Sequence, residues 1–345
     1  MNYKISVIIP FFYSKKSNNK ENEFALQSFD KCLQAISKSK YQNYEVILVS
    51  DNSSDDSIKV ASKYPFKIKK LKKNYGAAYA RNQGAKLSKG KILLFVDSDV
   101  EINNNAMNII NKYNNTKNNY GILQGVYSHK PKYHQPAAQY LMSYHCYYLF
   151  LETKNNKFTK SLCSCFVAIK KDIFIKNGGF DINFKNADPE DIDLGYRLIK
   201  KGLKIPLEKK LKSTHHINLS TGSLIKRTLR MHTNEMKMYL RNRNISMKIK
   251  QSNYTSIILS MILIFLKMTL SSIYIFYDIP YFEKILITLI ILFLLLHSNF
   301  LKFVFISKGF FVTLNTVFYI FLHKILFIIC FFKGIFDFYI LGNKY

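Results

Sequence analysis

The chain has 345 residues, with 51 Lys plus Arg against 22 Asp plus Glu and a formal charge of +29, a length that suits about two domains of roughly 150 residues each. Hydrophobic residues make up 48%, which excludes a disordered chain, and the charge excludes an acidic tail protein. A mean hydropathy of −0.06 excludes membrane helices throughout, yet it averages a charged stretch (1–250) with long runs of Ile, Leu and Phe (255–345).

From the N-terminus, short β-branched runs at Ile5–Ile9, Val46–Val49 and Ile92–Val96 alternate with helical patterns at Glu23–Ser37, Asp55–Tyr64 and Ala77–Leu87. That alternation predicts βαβ crossovers and a mostly parallel sheet covered on both faces. Ligands then bind beyond the carboxyl ends of the strands, at Pro10–Tyr13, Ser50–Asp55 and Asp97–Asp99. Lys4 and Pro10 flank a strand-length apolar run, so no secretory leader is expected there. Lys15–Glu23 reads as a polar loop. Residues 126–225 are less regular: Tyr133–Leu151 reads as an aromatic helix, Phe166–Ile169 as a strand and Asn177–Asp181 as a turn. Pro189 suits the first position of a helix running to about Lys201 and stopping at Gly202, with Glu190, Asp191 and Asp193 in its first turn.

Three apolar stretches follow, Thr255–Tyr277, Ile285–Ile306 and Phe310–Phe332, interrupted by Lys267, by His297 and Lys302, and by His323 and Lys324. About 20 apolar residues cross a bilayer core, and a central Lys costs about 3 kcal/mol, which one span tolerates. Two or three spans are expected, with interfacial helices as the alternative. Lys226, Arg227, Arg230, Lys237, Arg241, Arg243, Lys248 and Lys250 precede the first stretch. Basic residues there mark a cytoplasmic end and attract anionic membrane lipids; a solvated basic helix face is the alternative. The other lysines are scattered among Asn, Ile and Phe as a coding bias towards A and T would leave them, so no nucleic acid partner is expected. Cys32, Cys146, Cys163, Cys165 and Cys330 form no CxxC pair, which argues against a structural zinc site or a disulfide framework and fits a reducing compartment.

The acidic residues carry the chemistry. Asp97-Ser98-Asp99 ends an apolar strand, where paired carboxylates can hold Mg2+ or Mn2+ together with substrate phosphates; a solvated capping turn is the plainer reading. Asp51 can accept hydrogen bonds from a base or ribose, while Asp55 suits an N-cap. Asn74-Tyr75-Gly76 opens a helix that carries Arg81, whose planar fork suits a phosphate or base, or a surface ion pair. Asp191, beside Glu190, can serve as a general base or only cap its helix. His215 or His216 can complete a metal shell or be structural.

In this order, Val7-Ile8-Ile9-Pro10, Tyr44–Val49, Asp51–Asp55, Asn74-Tyr75-Gly76 with Ala80-Arg81-Asn82, Phe95–Asp99, Gly178–Asp181, and Glu190–Leu194 with Arg197 resemble the family 2 glycosyltransferases over roughly residues 3–230. Together with the apolar stretches, the resemblance implies an α/β GT-A nucleotide-diphospho-sugar transferase fold followed by C-terminal transmembrane helices. It divides the chain into a catalytic domain (1–230), a basic juxtamembrane helix or linker (231–254) and a membrane region (255–345). It implies donor binding by Pro10, Asp51, Asn74, Arg81 and Asp97, a divalent metal (Mn2+ or Mg2+) at Asp99 and Asp97 with His215 or His216, and catalysis by Asp191 with Glu190. Where many members have an Asn soon after the first-strand proline, this chain has Phe11-Phe12-Tyr13, and the usual double Asp after the second strand is Ser50-Asp51.

The implied reaction is an inverting transfer from a nucleotide-diphospho-sugar donor to a glycan or lipid-linked sugar hydroxyl. Its expected setting is the cytoplasmic face of the cell membrane, in cell-surface polysaccharide or glycolipid synthesis, with the chain as a multi-pass protein. A polyprenyl phosphate acceptor needs no base, so the Asp191 assignment weighs against a polyprenyl-phosphate sugar synthase, and intact acidic motifs weigh against an inert scaffold. A transporter lacks an obvious ion path here. A nucleotidyltransferase would carry a Gly-rich loop near the first strand, and Pro10–Asn22 has no Gly.

Overall fold

The structure, a computed structural model, describes residues 4–14, 19–116, 119–128, 133–155, 157–185, 188–242, 254–277 and 279–345. The chain divides into two compact units, one of residues 1–131, 149–218 and 345, the other of residues 132–148 and 219–344.

The first unit is built on a mixed sheet. Its strands are β1 (Ile5–Phe11), β2 (Tyr44–Ser50), β3 (Lys67–Lys70), β4 (Ile92–Val96), β5 (Val100–Ile102), β6 (Ile122–Tyr127), β7 (Phe158–Thr159), β8 (Phe166–Lys170) and β9 (Ile205–His215). The order is β3-β2-β1-β4-β8-β6-β9-β5, and β7 pairs with β9. The expected parallel pairing holds for β3, β2, β1 and β4. It breaks at β8, which runs antiparallel to both β4 and β6, so the sheet is mixed beyond β4. Alternation buries both faces. Val7, Ile9, Leu94 and Val96 join Phe29, Leu33 and Ile36 of helix α1 (Asn19–Ser37) on one side. Ile8, Leu93 and Phe95 join Ala78 and Ala85 of α3 (Ala77–Leu87) and Leu194 and Leu198 of α7 (Glu190–Lys200) on the other. Gly84 lets α3 lie close on the sheet, because a Cβ there would stand 2.4 Å from Ile8 Cγ2.

Most expected elements appear with moved ends. The Asp55–Tyr64 pattern is the short α2 (Ser57–Ala61), and the aromatic helix is Pro136–Asn155. Five strands, β3, β5, β6, β7 and β9, lie where no strand is expected. β3 reads Lys-Ile-Lys-Lys at the sheet edge, where lysines deter further pairing, and β9 carries the basic Lys209–Lys212. Residues 15–18, and Arg243, Lys248 and Lys250, lie outside the described residues, while the rest of the expected polar loop, Asn19–Glu23, is instead the start of α1.

The second unit is helical. Helix α8 (Thr221–Arg241) starts at Ser220, whose hydroxyl accepts from Ser223 N–H, a standard N-cap. It packs along the helix Phe310–Tyr339, where Gly334 admits Met236. At 30 residues that helix is about 45 Å long. Among the described residues it is the one helix long and apolar enough, by length and composition, to cross a membrane. The helices Phe282–Leu296 and Ser298–Lys308 pass the same test only together, and they bend by 62° at their junction. The apolar part, Ile258–Tyr274, of the preceding helix Tyr254–Tyr274 falls among the shorter apolar helices.

Candidate active site

The acidic residues singled out in the first unit gather past the ends of β2 and β4 and at the start of α7. Asp51 follows β2, and Asn52 takes a left-handed conformation with φ 65°, which Asn tolerates better than most residues. The Asp51 carboxylate accepts Tyr75 N–H at 2.8 Å and Gly76 N–H at 2.7 Å, so it anchors the loop that opens α3. Burial pushes its carboxyl upward and the two N–H donors oppose the shift. Gly76 has φ 94°, and a Cβ there would meet the Lys185 carbonyl oxygen at 2.3 Å. Exposed Asn74 accepts Gly76 N–H at 3.2 Å and so closes the same turn. Pro10 is buried within β1, opposite Val49.

Five residues into α3, Arg81 lies beneath the site rather than in open solvent. Nη2 donates to Asp97 Oδ1 at 2.6 Å and Nη1 to Glu190 Oε1 at 2.7 Å. Its Nε finds no acceptor among the described residues, and Phe180 lies 5.5 Å from the guanidinium. Burial alone would lower the Arg81 pKa, but Asp97 and Glu190 overcome it and hold the guanidinium charged. Glu190 Oε2 also accepts Asp188 N–H at 3.1 Å. Burial pushes the Glu190 carboxyl upward against the pull of Arg81. Glu190, grouped with Asp191 by sequence, is thus a buried anchor that ties the start of α7 to α3 and the end of β4.

Asp191, next in the chain, is held from another direction. Oδ2 accepts Ser164 N–H at 2.9 Å and the Ser164 hydroxyl at 3.2 Å, and Oδ1 accepts Ile192 N–H at 2.8 Å. Burial raises its carboxyl, partly offset by Ser164 N–H and by Arg81, while Asp97 adds to the rise. A base with a raised pKa is better matched to proton removal near neutrality.

Asp99 Oδ2 lies 3.1 Å from His215 Nε2, with Tyr127 stacked on the imidazole at a ring distance of 5.5 Å. His216 turns instead to Glu101, 2.8 Å away. Asp99 borders a pocket of about 160 Å³ that Tyr13, Phe24 and Asn218 also line. No group of three or more His, Cys, Asp or Glu side chains forms a closed metal cage among the described residues. The donor set still fits a hard divalent ion, which binds through one or two carboxylates and takes its other ligands from substrate phosphates and water. Asp99 with His215, and Asp97 as a second carboxylate, are the residues that could hold such an ion.

The glycine turn has a defined task. Asn82 donates to Phe180 C=O at 2.8 Å and accepts Phe180 N–H at 3.0 Å. Arg197, paired with Asp193 at 2.8 Å, donates to the Asn177 carbonyl and, at 2.7 Å, to the Gly179 carbonyl. The turn is thereby fixed to α3 and α7, with Phe180 beside Arg81. Sequence reasoning passed over three residues. Ser164 holds Asp191, Glu101 takes His216, and the Tyr13 hydroxyl is 2.9 Å from Ser98 Oγ. Only Tyr13 left a trace, as the departure Phe11-Phe12-Tyr13 from the common Asn.

Comparison with known proteins bears on the family and the fold. The family model described as Glycosyl transferase family 2 matches residues 6–178. Poly(ribitol-phosphate) beta-N-acetylglucosaminyltransferase TarP of Staphylococcus aureus (strain N315) is 34% identical over 129 residues, which is 36% of this chain and 36% of that protein. UDP-Glc:alpha-D-GlcNAc-diphosphoundecaprenol beta-1,3-glucosyltransferase WfaP of Escherichia coli is 29% identical over 178 residues, 48% of this chain and 62% of that protein. The match therefore spans less than two thirds of either relative. Among solved structures, mannosyltransferase PcManGT from Pyrobaculum calidifontis in complex with GDP-Man and Mn2+ has the same fold. Its TM-score is 0.56 at 13% identity, and the match covers 98% of this chain and 88% of that one.

Proposed function

The chain belongs to glycosyl transferase family 2, and from that premise we propose that it is an inverting, membrane-associated enzyme of cell-surface polymer or glycolipid synthesis. It takes a sugar from a nucleotide-diphosphate donor and passes it to a hydroxyl of a glycan or lipid-linked sugar. One observation carries this reading: Arg81 bonds the carboxylate at the end of β4 and the first residue of α7, which sets Asp191 beside the Asp97–Asp99 pair.

In this reading Asp51 and Asn74 shape the loop before α3 against which the nucleotide lies, and Pro10 forms part of its floor. Asp99 and Asp97, with His215 bonded to Asp99, would hold a divalent ion; His216 is the less suited imidazole because Glu101 takes its Nε2. A bound Mn2+ or Mg2+ supplies Lewis acidity to the departing diphosphate. Asp191 Oδ removes the acceptor hydroxyl proton, and the freed oxygen attacks the anomeric carbon on the face opposite the leaving group. Ser164 keeps that carboxylate aimed. Residues 1–230 form the catalytic part, 231–254 a basic link that meets anionic lipids at the cytoplasmic face, and 255–345 a multi-pass anchor. The 30-residue apolar helix supports that anchor, and the WfaP name, with its diphosphoundecaprenol-linked sugar, supports a lipid-linked acceptor.

The test is a panel of nucleotide sugars with purified protein, with and without Mn2+, read as nucleoside diphosphate release and as transfer to lipid-linked acceptors. Asp191→Asn is expected to lose about 10²–10⁴-fold in transfer while still binding donor. Wild-type turnover by that variant overturns the base assignment, and no diphosphate release with any donor overturns the enzyme reading.

A further inference from the structure

Two thiols bracket the residue that holds Asp191. Cys163 Sγ and Cys165 Sγ lie 2.9 Å apart. The Tyr127 hydroxyl sits between them, donating to Cys165 Sγ at 2.7 Å and standing 3.7 Å from Cys163 Sγ. The backbone on either side is pinned. Gln124 accepts Cys163 N–H at 2.9 Å and donates to the Cys163 carbonyl at 3.2 Å, and Asp97 N–H donates to the Cys165 carbonyl at 3.1 Å. Between these fixed points Ser164 points both its N–H and its hydroxyl at Asp191. Cys165 is buried and Cys163 is half-buried, so a small oxidant meets Cys163 first.

We propose that Cys163 and Cys165 are an oxidative modification site, closing to an intrachain disulfide that turns Ser164 off Asp191 and lowers sugar transfer. The proposal rests on the reading of Asp191 as the base. The oxidant is a hydroperoxide. The Cys163 thiolate attacks the O–O bond, forming a sulfenic acid and, with hydrogen peroxide, releasing hydroxide, which takes up the thiol proton as water. The Cys165 sulfur then displaces the sulfenic hydroxyl, which leaves as a second water with the Cys165 proton. Two thiols and one peroxide thus give one disulfide and two waters.

A disulfide bond is about 2.05 Å long, so the sulfurs must approach by about 0.9 Å from their present 2.9 Å. With Gln124 and Asp97 holding the flanks, the Ser164 peptide takes up the movement. Displacing catalytic geometry by about 1 Å commonly costs about 10²-fold in rate.

The experiment uses the detergent-solubilised full chain, hydrogen peroxide as probe, peptide mapping of the 163–165 segment, and transfer as the activity. The expected result is a 163–165 peptide lighter by two hydrogens, transfer reduced about 10²-fold, and recovery with dithiothreitol. Cys163→Ser is expected to keep its untreated activity and resist peroxide, and Cys165→Ala serves the same purpose if the first variant folds poorly. The proposal is overturned if the mapped disulfide leaves transfer unchanged, if peroxide inactivates with no disulfide at 163–165, or if both variants are inactivated like the parent. If Asp191→Asn keeps wild-type turnover while oxidation of the pair still cuts transfer, the modification site stands and the base reading falls.

Discussion

Arg81→Met removes the charge that binds Asp97 to Glu190. The Arg81 and Glu190 side chains are 5% and 4% exposed, so the loss falls in the range for breaking a buried pair, about 3–5 kcal/mol. Asp97 is 30% exposed, and solvent screens that half of the bridge to about 1 kcal/mol or less. For a unit of about 200 residues, each kcal/mol moves the thermal midpoint by about 2–4 °C, which gives a fall of about 6–20 °C. The assay is far-UV circular dichroism of the solubilised protein against temperature. The loss should depend on pH. Burial raises the Glu190 carboxyl, and without Arg81 it rises further, so the folded variant binds a proton that the unfolded chain gives up. Stability of that kind is full below the ordinary Glu pKa and is lost as pH rises through the raised one. Arg81→Met should therefore be weaker relative to the parent at about pH 9 than at about pH 6. Adding Glu190→Gln removes the stranded carboxylate and should recover at least half of the loss. A midpoint shift under about 2 °C, or a double variant no more stable than the single one, refutes the buried-bridge account.

Three further outcomes follow from the same geometry. Because burial raises Asp191 and a base acts only when deprotonated, transfer should fall on acidification with a midpoint above the ordinary Asp value. Asp191→Asn should abolish that limb, and a pH–rate profile checks it. His215→Ala should raise the Mn2+ concentration for half-maximal activity by about tenfold or more, read by metal titration, and an unchanged requirement removes His215 from the ion's surroundings. Gly76→Ala meets both a positive φ and the Lys185 carbonyl, so it should cost more than about 1 kcal/mol and raise the donor KM. Thermal melts and donor kinetics check both.

The strands beneath the site were legible because Ile5–Ile9, Val46–Val49 and Ile92–Val96 are apolar and their residues point to two buried faces. β3 and β9 were not, since lysines on partly exposed strands carry no run of apolar residues and read as solvated loops. The acidic positions could be found from their places after strands and at a helix start. Their division of labour could not. Nothing in the letters tells Glu190, a buried anchor, from Asp191 next to it, because the distinction depends on Arg81, 109 positions earlier. Ser164 was hidden for the same reason, being 27 positions from the carboxylate it holds. The apolar tail was plain as composition, but the bend between Leu296 and Ser298 arises at His297, a residue that reads in sequence as only one polar interruption.

The single guanidinium that reaches both β4 and α7 also bears on how such an enzyme can diversify. Since the same side chain is bonded to the carboxylate that ends β4 and to the residue that opens the helix carrying Asp191, neither element can drift in register without disturbing the other. A change of acceptor is then easier to build into the surrounding loops than into α3, the end of β4 or the first turn of α7, which Arg81 ties into one block.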